Sequence, residues 1–147
     1  MTIRTSTALR VSMLAGPGVK PTMDGGEIRI YGGIAPAGAD DSIGAATLLC
    51  TVKLDGSMGI ELDESTVGLL KIPDGANWTG TNMAGGTATF FRMVHSSDVG
   101  EATTMAPRIQ GSVGVVGADL NIDTVAVISG QDTPIRSFNI GIYAQLP

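Results

Sequence analysis

The alternation of apolar and polar positions along the chain predicts short β-strands over most of its length. Residues 27–31, Glu-Ile-Arg-Ile-Tyr, alternate and read as a half-buried strand ended by Gly32-Gly33. Residues 34–46 are rich in Ala, Gly, Pro and Asp and read as an ordered loop. Thr47 to Leu54 is a second strand, with Leu48, Cys50, Val52 and Leu54 on one face. Weaker strands are expected near residues 59–62 and 67–72, then a turn-rich insertion over 73–86 that holds the only tryptophan, Trp78. Residues 87–94 form a clear strand with two of the three phenylalanines. A loop over 96–106 precedes strands at 108–115, 119–123, 125–128 and 135–144.

The first 24 residues behave differently. Thr5, Ser6 or Thr7 can cap a short helix with apolar positions at Leu9, Val11, Met13 and Leu14. Gly16-Pro17-Gly18 stops it, and Pro21 with Gly25-Gly26 predicts loop beyond. Arg4, Arg10 and Lys20 are the only charges before Asp24, so this arm is basic. One or two turns of helix need a surface to pack on, either their own domain or a neighbour.

Composition agrees with the strand pattern. Val, Ile and Thr supply 39 of 147 residues, while 21 Gly and 7 Pro fall mostly between the β-rich runs. Seven or eight strands at this spacing predict an all-β fold, an antiparallel β-sandwich or jelly roll. The domain plan is an arm over 1–24 and a single domain over 25–147. Nine basic against fourteen acidic residues give a net charge of −5, which argues against direct nucleic-acid binding. No apolar run reaches the length of a membrane span, and the basic start lacks the apolar core of a signal peptide. A single cysteine excludes an intrachain disulfide and fits synthesis in a reducing compartment.

The residues that carry chemistry do not assemble into a motif. Asp119, Asn121 and Asp123 imitate the start of a calcium loop, but Thr124 and Gly130 stand where that motif needs Gly and Glu. His95, Ser96, Ser97 and Asp98 are adjacent on one loop, whereas triad members converge from separate elements. Cys50 alternates with core positions and reads as an inert thiol. The Asp40-Asp41 and Asp63-Glu64 pairs point apart on an extended backbone. The expectation is therefore a protein with no catalytic residue, no metal and no cofactor.

Several stretches, taken in order, carry a resemblance. They are Thr7-Ala-Leu-Arg, the run from Gly25-Gly-Glu-Ile-Arg-Ile-Tyr-Gly-Gly to Ala39-Asp-Asp, Ile43-Gly-Ala-Ala-Thr-Leu-Leu-Cys, Gly86-Thr-Ala-Thr-Phe-Phe-Arg, and Gly111-Ser-Val-Gly with Gly117-Ala-Asp-Leu. This order resembles small structural proteins encoded by tailed double-stranded DNA bacteriophages, in or near their head genes. The resemblance implies a non-enzymatic capsid decoration or cement protein, made in the bacterial host cytoplasm and placed on the outer surface of the virion head. Its implied partners are the major capsid protein and a second or third copy of itself, without direct contact to nucleic acid or membrane. The contact arm would use Arg4, Leu9, Arg10, Val11, Met13 and Leu14; alternatively, the helix covers one end of its own domain. A tail or head-tail connector protein and a carbohydrate-binding sandwich are the competing readings, the latter needing exposed aromatic platforms such as Trp78, Tyr31 or Tyr143.

Overall fold

The computed structural model describes residues 3–141. The chain order is β1 (Arg4–Thr5), α1 (Thr7–Ala15), α2 (Val19–Met23), β2 (Glu27–Gly32), β3 (Thr47–Leu54), β4 (Leu69–Lys71), β5 (Trp78–Thr81), β6 (Gly86–Val94), β7 (Ile109–Gly114), β8 (Leu120–Ile122), β9 (Ala126–Val127) and β10 (Asp132–Gly141). The expected final strand runs to residue 144, and its last three residues lie outside those described.

Seven strands pair in a closed ring, β2-β3-β5-β10-β8-β7-β6 and back to β2. Every pairing in the ring is antiparallel except β7 with β8. The short β1, β4 and β9 attach outside it, on β7, β10 and β6. The fold is thus all-β, as the alternation predicts, but the strands form one barrel instead of the two stacked sheets of a sandwich or jelly roll. The reason is β5. It lies inside the stretch expected to be only turns, and it joins β3 on one side and β10 on the other. Without that stave the ring would be open and would keep two free edges.

Gly80 makes this closure possible. A Cβ at that position would sit 2.1 Å from the Thr51 carbonyl oxygen and 3.0 Å from Cys50 Sγ. Only glycine lets the β5 backbone come this close to β3. The neighbouring Trp78, expected in a turn-rich insertion, is among the largest fully buried side chains.

Inside the ring the side chains fill the space. Ile28, Ile30, Cys50, Val52, Phe91, Met93, Leu120, Ile122 and Phe138 belong to one core cluster with Trp78. Phe138 meets Phe91 edge-on with centroids 5.4 Å apart, and Trp78 at 6.0 Å. Burial of these rings and branched chains supplies the main drive for closure, about 1.5–3 kcal/mol for each aliphatic side chain. Leu9 of α1 and Met23 of α2 are part of the same cluster. The residues 19–23, expected as loop, form the short α2 because Pro21 stands in its first turn, where a missing N–H costs nothing.

The strand 27–31 is not half-buried. Ile28 and Ile30 face the barrel interior, while Glu27 and Tyr31 on the other face are buried too. Tyr31 stacks on Phe90 at 5.1 Å. Two long loops, residues 33–46 and 95–107, cover this outer face.

Cys50 is fully buried, and burial pushes its thiol up to about 11. A thiol reagent at neutral pH should therefore label the native protein far more slowly than the unfolded one. Cys50→Ser should lower stability by about 1–3 kcal/mol, because a hydroxyl is placed in an apolar site. Rapid native labelling would contradict this placement.

Candidate interaction surface

The two covering loops are held down by guanidinium groups. Arg108 is buried, and it grips Asp98 with two parallel bonds, Nε to Oδ2 at 2.6 Å and Nη2 to Oδ1 at 2.9 Å. It also donates to the carbonyls of Ala39 at 3.0 Å and Glu101 at 2.7 Å, so a single side chain ties both loops to β7. Arg92, equally buried, donates to Gln110 Oε1 at 2.8 Å and to the carbonyls of Gly38 and Asp41. Its Nη1 has no partner among the described residues. Burial and the neighbouring Arg108 charge bring the Arg92 guanidinium down to about 10, which leaves it charged at neutral pH. Arg29 completes the set, donating to the Asp98 carbonyl at 2.6 Å and to Glu27.

The loops also hold each other. Ile43 N–H donates to the Gly100 carbonyl at 2.9 Å and Thr103 N–H to the Asp40 carbonyl at 2.9 Å. Asp40 in turn fixes the start of α1, accepting from Thr7 N–H at 2.8 Å and from Thr7 Oγ1. A carboxylate at this end of a helix also meets the positive end of its dipole. Ser6 is the N-cap: its Oγ accepts from Leu9 N–H at 3.3 Å and from Arg108 N–H at 2.8 Å. Gly18, at φ +99°, turns the chain into α2, and Ser12 reaches Thr22 across the corner.

Two of these carboxyls are lowered on folding. Desolvation works against the Asp98 charge, but the Arg108 hydrogen bonds and the Gly100 N–H overcome it and hold the carboxyl below its ordinary range. Desolvation likewise opposes the Asp40 charge, and the two Thr7 hydrogen bonds outweigh it. A carboxyl lowered in the native state adds stability above its unfolded value, near pH 4, and loses that contribution as pH falls through the native value. The urea midpoint should therefore drop as pH falls below about 4, and Asp98→Asn should flatten that acid limb. An Asp98→Asn variant with an unchanged acid limb would contradict the role of the pair.

The six residues expected in a contact arm divide on the structure. Leu9 is fully buried against the barrel and is not free to meet a partner. Val11 is 59% exposed and Leu14 89%, while Met13, one turn beyond Leu9 and close to its face, is 38% exposed. Arg4 and Arg10 are exposed, Arg10 donating to the Thr5 carbonyl and to Thr7 Oγ1. At 100° per residue, Val11 and Leu14 lie roughly 140–160° around the helix from Leu9. The helix thus presents an apolar ridge that its own barrel does not cover, next to two arginines.

Beside the base of α1, the 95–107 loop and Arg108 enclose a cleft of about 400 Å³. Val99, Met105, Ala106 and Pro107 give it an apolar wall, with the exposed Glu101 and His95 also lining it. His95 Nε2 lies 2.6 Å from the Thr22 carbonyl, and Asp98 is committed to Arg108, so the His-Ser-Ser-Asp run does not converge on a reacting centre. Asp119 accepts from Ser112 N–H and Oγ, Asn121 donates to Ser137, and Asp123 pairs with Arg136. Those three residues hold the β7–β8 turn and β10. No group of three or more metal-ligating side chains occurs among the described residues.

Trp78, Tyr31, Phe90, Phe91 and Phe138 are all buried, so none offers a sugar-stacking platform; Tyr143 lies outside the described residues. No helix among the described residues is long and apolar enough to cross a membrane. The clamp of Arg92, Arg108 and Asp98 is not expected from the sequence, which offers Asp98 only as a neighbour of His95. Its signal was an arginine inside the Phe-Phe-Arg-Met-Val strand and another directly before Ile109. No known protein family, curated protein or solved structure matches this chain.

Proposed function

We propose that this chain is a non-enzymatic structural protein of a tailed-phage virion, binding the outer surface of the head as a decoration or cement protein. In this role α1 is the contact element, held rigid by the Ser6 cap and the Leu9 anchor. The observation that carries the reading is the uncovered ridge of Val11 and Leu14 on α1, with the exposed Arg4 and Arg10 at the start of the arm. Rigid presentation matters because a preordered element loses little entropy on docking. Burial of Val11 and Leu14 against a partner would contribute about 1.5–3 kcal/mol each. The arginines would mainly guide orientation and encounter with an acidic surface.

Two of the stretches that carry the phage resemblance are in contact in the fold. Gly86-Thr-Ala-Thr-Phe-Phe-Arg is β6 up to Arg92, and Arg92 holds the carbonyls of Gly38 and Asp41 in the other stretch. A homo-oligomer fits a symmetric lattice position, where several weak contacts act together.

Heads lacking the protein, mixed with the purified chain and sedimented, should carry it down to saturation. Val11→Asp combined with Leu14→Asp should reduce that binding at least tenfold while circular dichroism stays unchanged. Absence of binding to heads, or recovery of the chain with tails alone, would overturn the reading.

A further inference from the structure

We infer that the ridge of α1 seats in the 95–107 cleft of a second copy of this chain. The inference rests on the reading of α1 as a contact element and names a second copy as its partner, so that the pair, through its other surfaces, is what meets the head; it does not require that the oligomer sit on a capsid. Three observations lead to it.

The first is chemical fit. The ridge offers Val11 and Leu14 with a cationic neighbour, Arg10. The cleft offers Val99 and Met105, 80% and 83% exposed, with Glu101 among its lining residues. Arg4, Arg10 and Glu101 have no ion-pair partner among the described residues. The charge of the chain is also polarised. Residues 1–23 hold three basic and no acidic side chains, leaving six basic against fourteen acidic in the remainder.

The second observation is that one copy cannot make this contact with itself. Ser6 is bonded to the Arg108 backbone in both directions, and Leu9 is locked in the core. Turning Val11 and Leu14 toward their own cleft would pull Leu9 out of the barrel.

The third is placement. Arg108, whose backbone bonds the N-cap of α1, also lines the cleft. Helix and cleft are therefore neighbours, and a two-fold axis near them lets each copy's helix enter the other's cleft. A closed pair repeats the contact twice.

Sedimentation equilibrium of the full chain should show concentration-dependent self-association. Val11→Asp with Leu14→Asp, and separately Val99→Asp with Met105→Asp, should each weaken it at least tenfold. Arg10→Glu and Glu101→Arg should each weaken it about two- to fivefold, the scale of an exposed ion pair, and the double reversal should restore it. Far-UV circular dichroism and the urea midpoint identify any variant that has lost its fold, and the exposed charge pair supplies the test if an apolar variant has. A chain that stays monomeric at about 100 µM, hundredfold above a micromolar constant, would overturn the inference. So would self-association that ignores the cleft substitutions, or a double reversal that gives no recovery. If the Val11/Leu14 variant remains oligomeric but no longer binds heads, this inference fails and the capsid reading stands. If both pairs of substitutions abolish self-association while wild-type oligomers ignore heads, the reverse holds.

Discussion

Arg108→Met is expected to cost about 3–5 kcal/mol, the usual penalty for removing one partner of a buried ion pair. Asp98 would be left with its carboxylate desolvated and without the two bonds that now compensate it. The carbonyls of Ala39 and Glu101 would lose their donor at the same time, releasing both covering loops from β7. For a chain of this length the melting temperature should fall by roughly 10–15 °C. Replacing both partners, Arg108→Met with Asp98→Leu, should recover much of the loss, since the pair's desolvation cost disappears with its attraction. A loss under about 1 kcal/mol for the single variant would mean that the clamp is solvated and weak.

The second large effect separates the two faces of α1. Leu9→Ala should destabilise the fold by about 2–5 kcal/mol, as truncation of a buried leucine leaves a cavity beside the core. Val11→Ala and Leu14→Ala, on the opposite side, should change the stability of the dilute, monomeric chain by no more than about 0.5 kcal/mol. Chemical denaturation of the three variants reads this contrast directly. Similar losses for all three at dilution would mean that the ridge is buried against its own barrel. A negligible loss for Leu9→Ala would mean that the helix is not docked on its barrel.

The elements legible in the sequence are those whose pattern and local chemistry agree. Residues 47–54 alternate except at Leu49, and β3 occupies that span; the strand expected at 87–94 gains only Gly86 at its start. Ser6 was one of three candidate caps, and only tertiary contact with Arg108 selects it. The strand in 73–86 was hidden because Gly75, Gly80 and Gly85 read as turn residues. Gly80 is there for a different reason, the close approach of two backbones across the closing seam of the barrel. Residues 59–62 carry the pattern of a weak strand, but Ile60 makes one isolated bridge to Gly26 while Ile60 and Leu62 fill the core. Apolar residues with the right spacing do not specify whether their backbone finds a partner.

The candidate surface was legible in part. The spacing of Leu9, Val11, Met13 and Leu14 named the helix but could not assign its faces, because four apolar positions surround most of so short a turn. The loop clamp was invisible for another reason. Its bonds join residues 29, 92 and 108 to carbonyls far away in sequence, and no local pattern encodes which carbonyls a buried guanidinium will meet.

The central claim is that this barrel is a surface component of a phage head. A density map of the mature virion of a phage whose genome carries this sequence is the test. The expected density is a seven-stranded barrel at repeated positions on the outer face of the capsid lattice, with α1 at an interface between subunits. A head surface without that density, or the barrel found only in the tail, would contradict it.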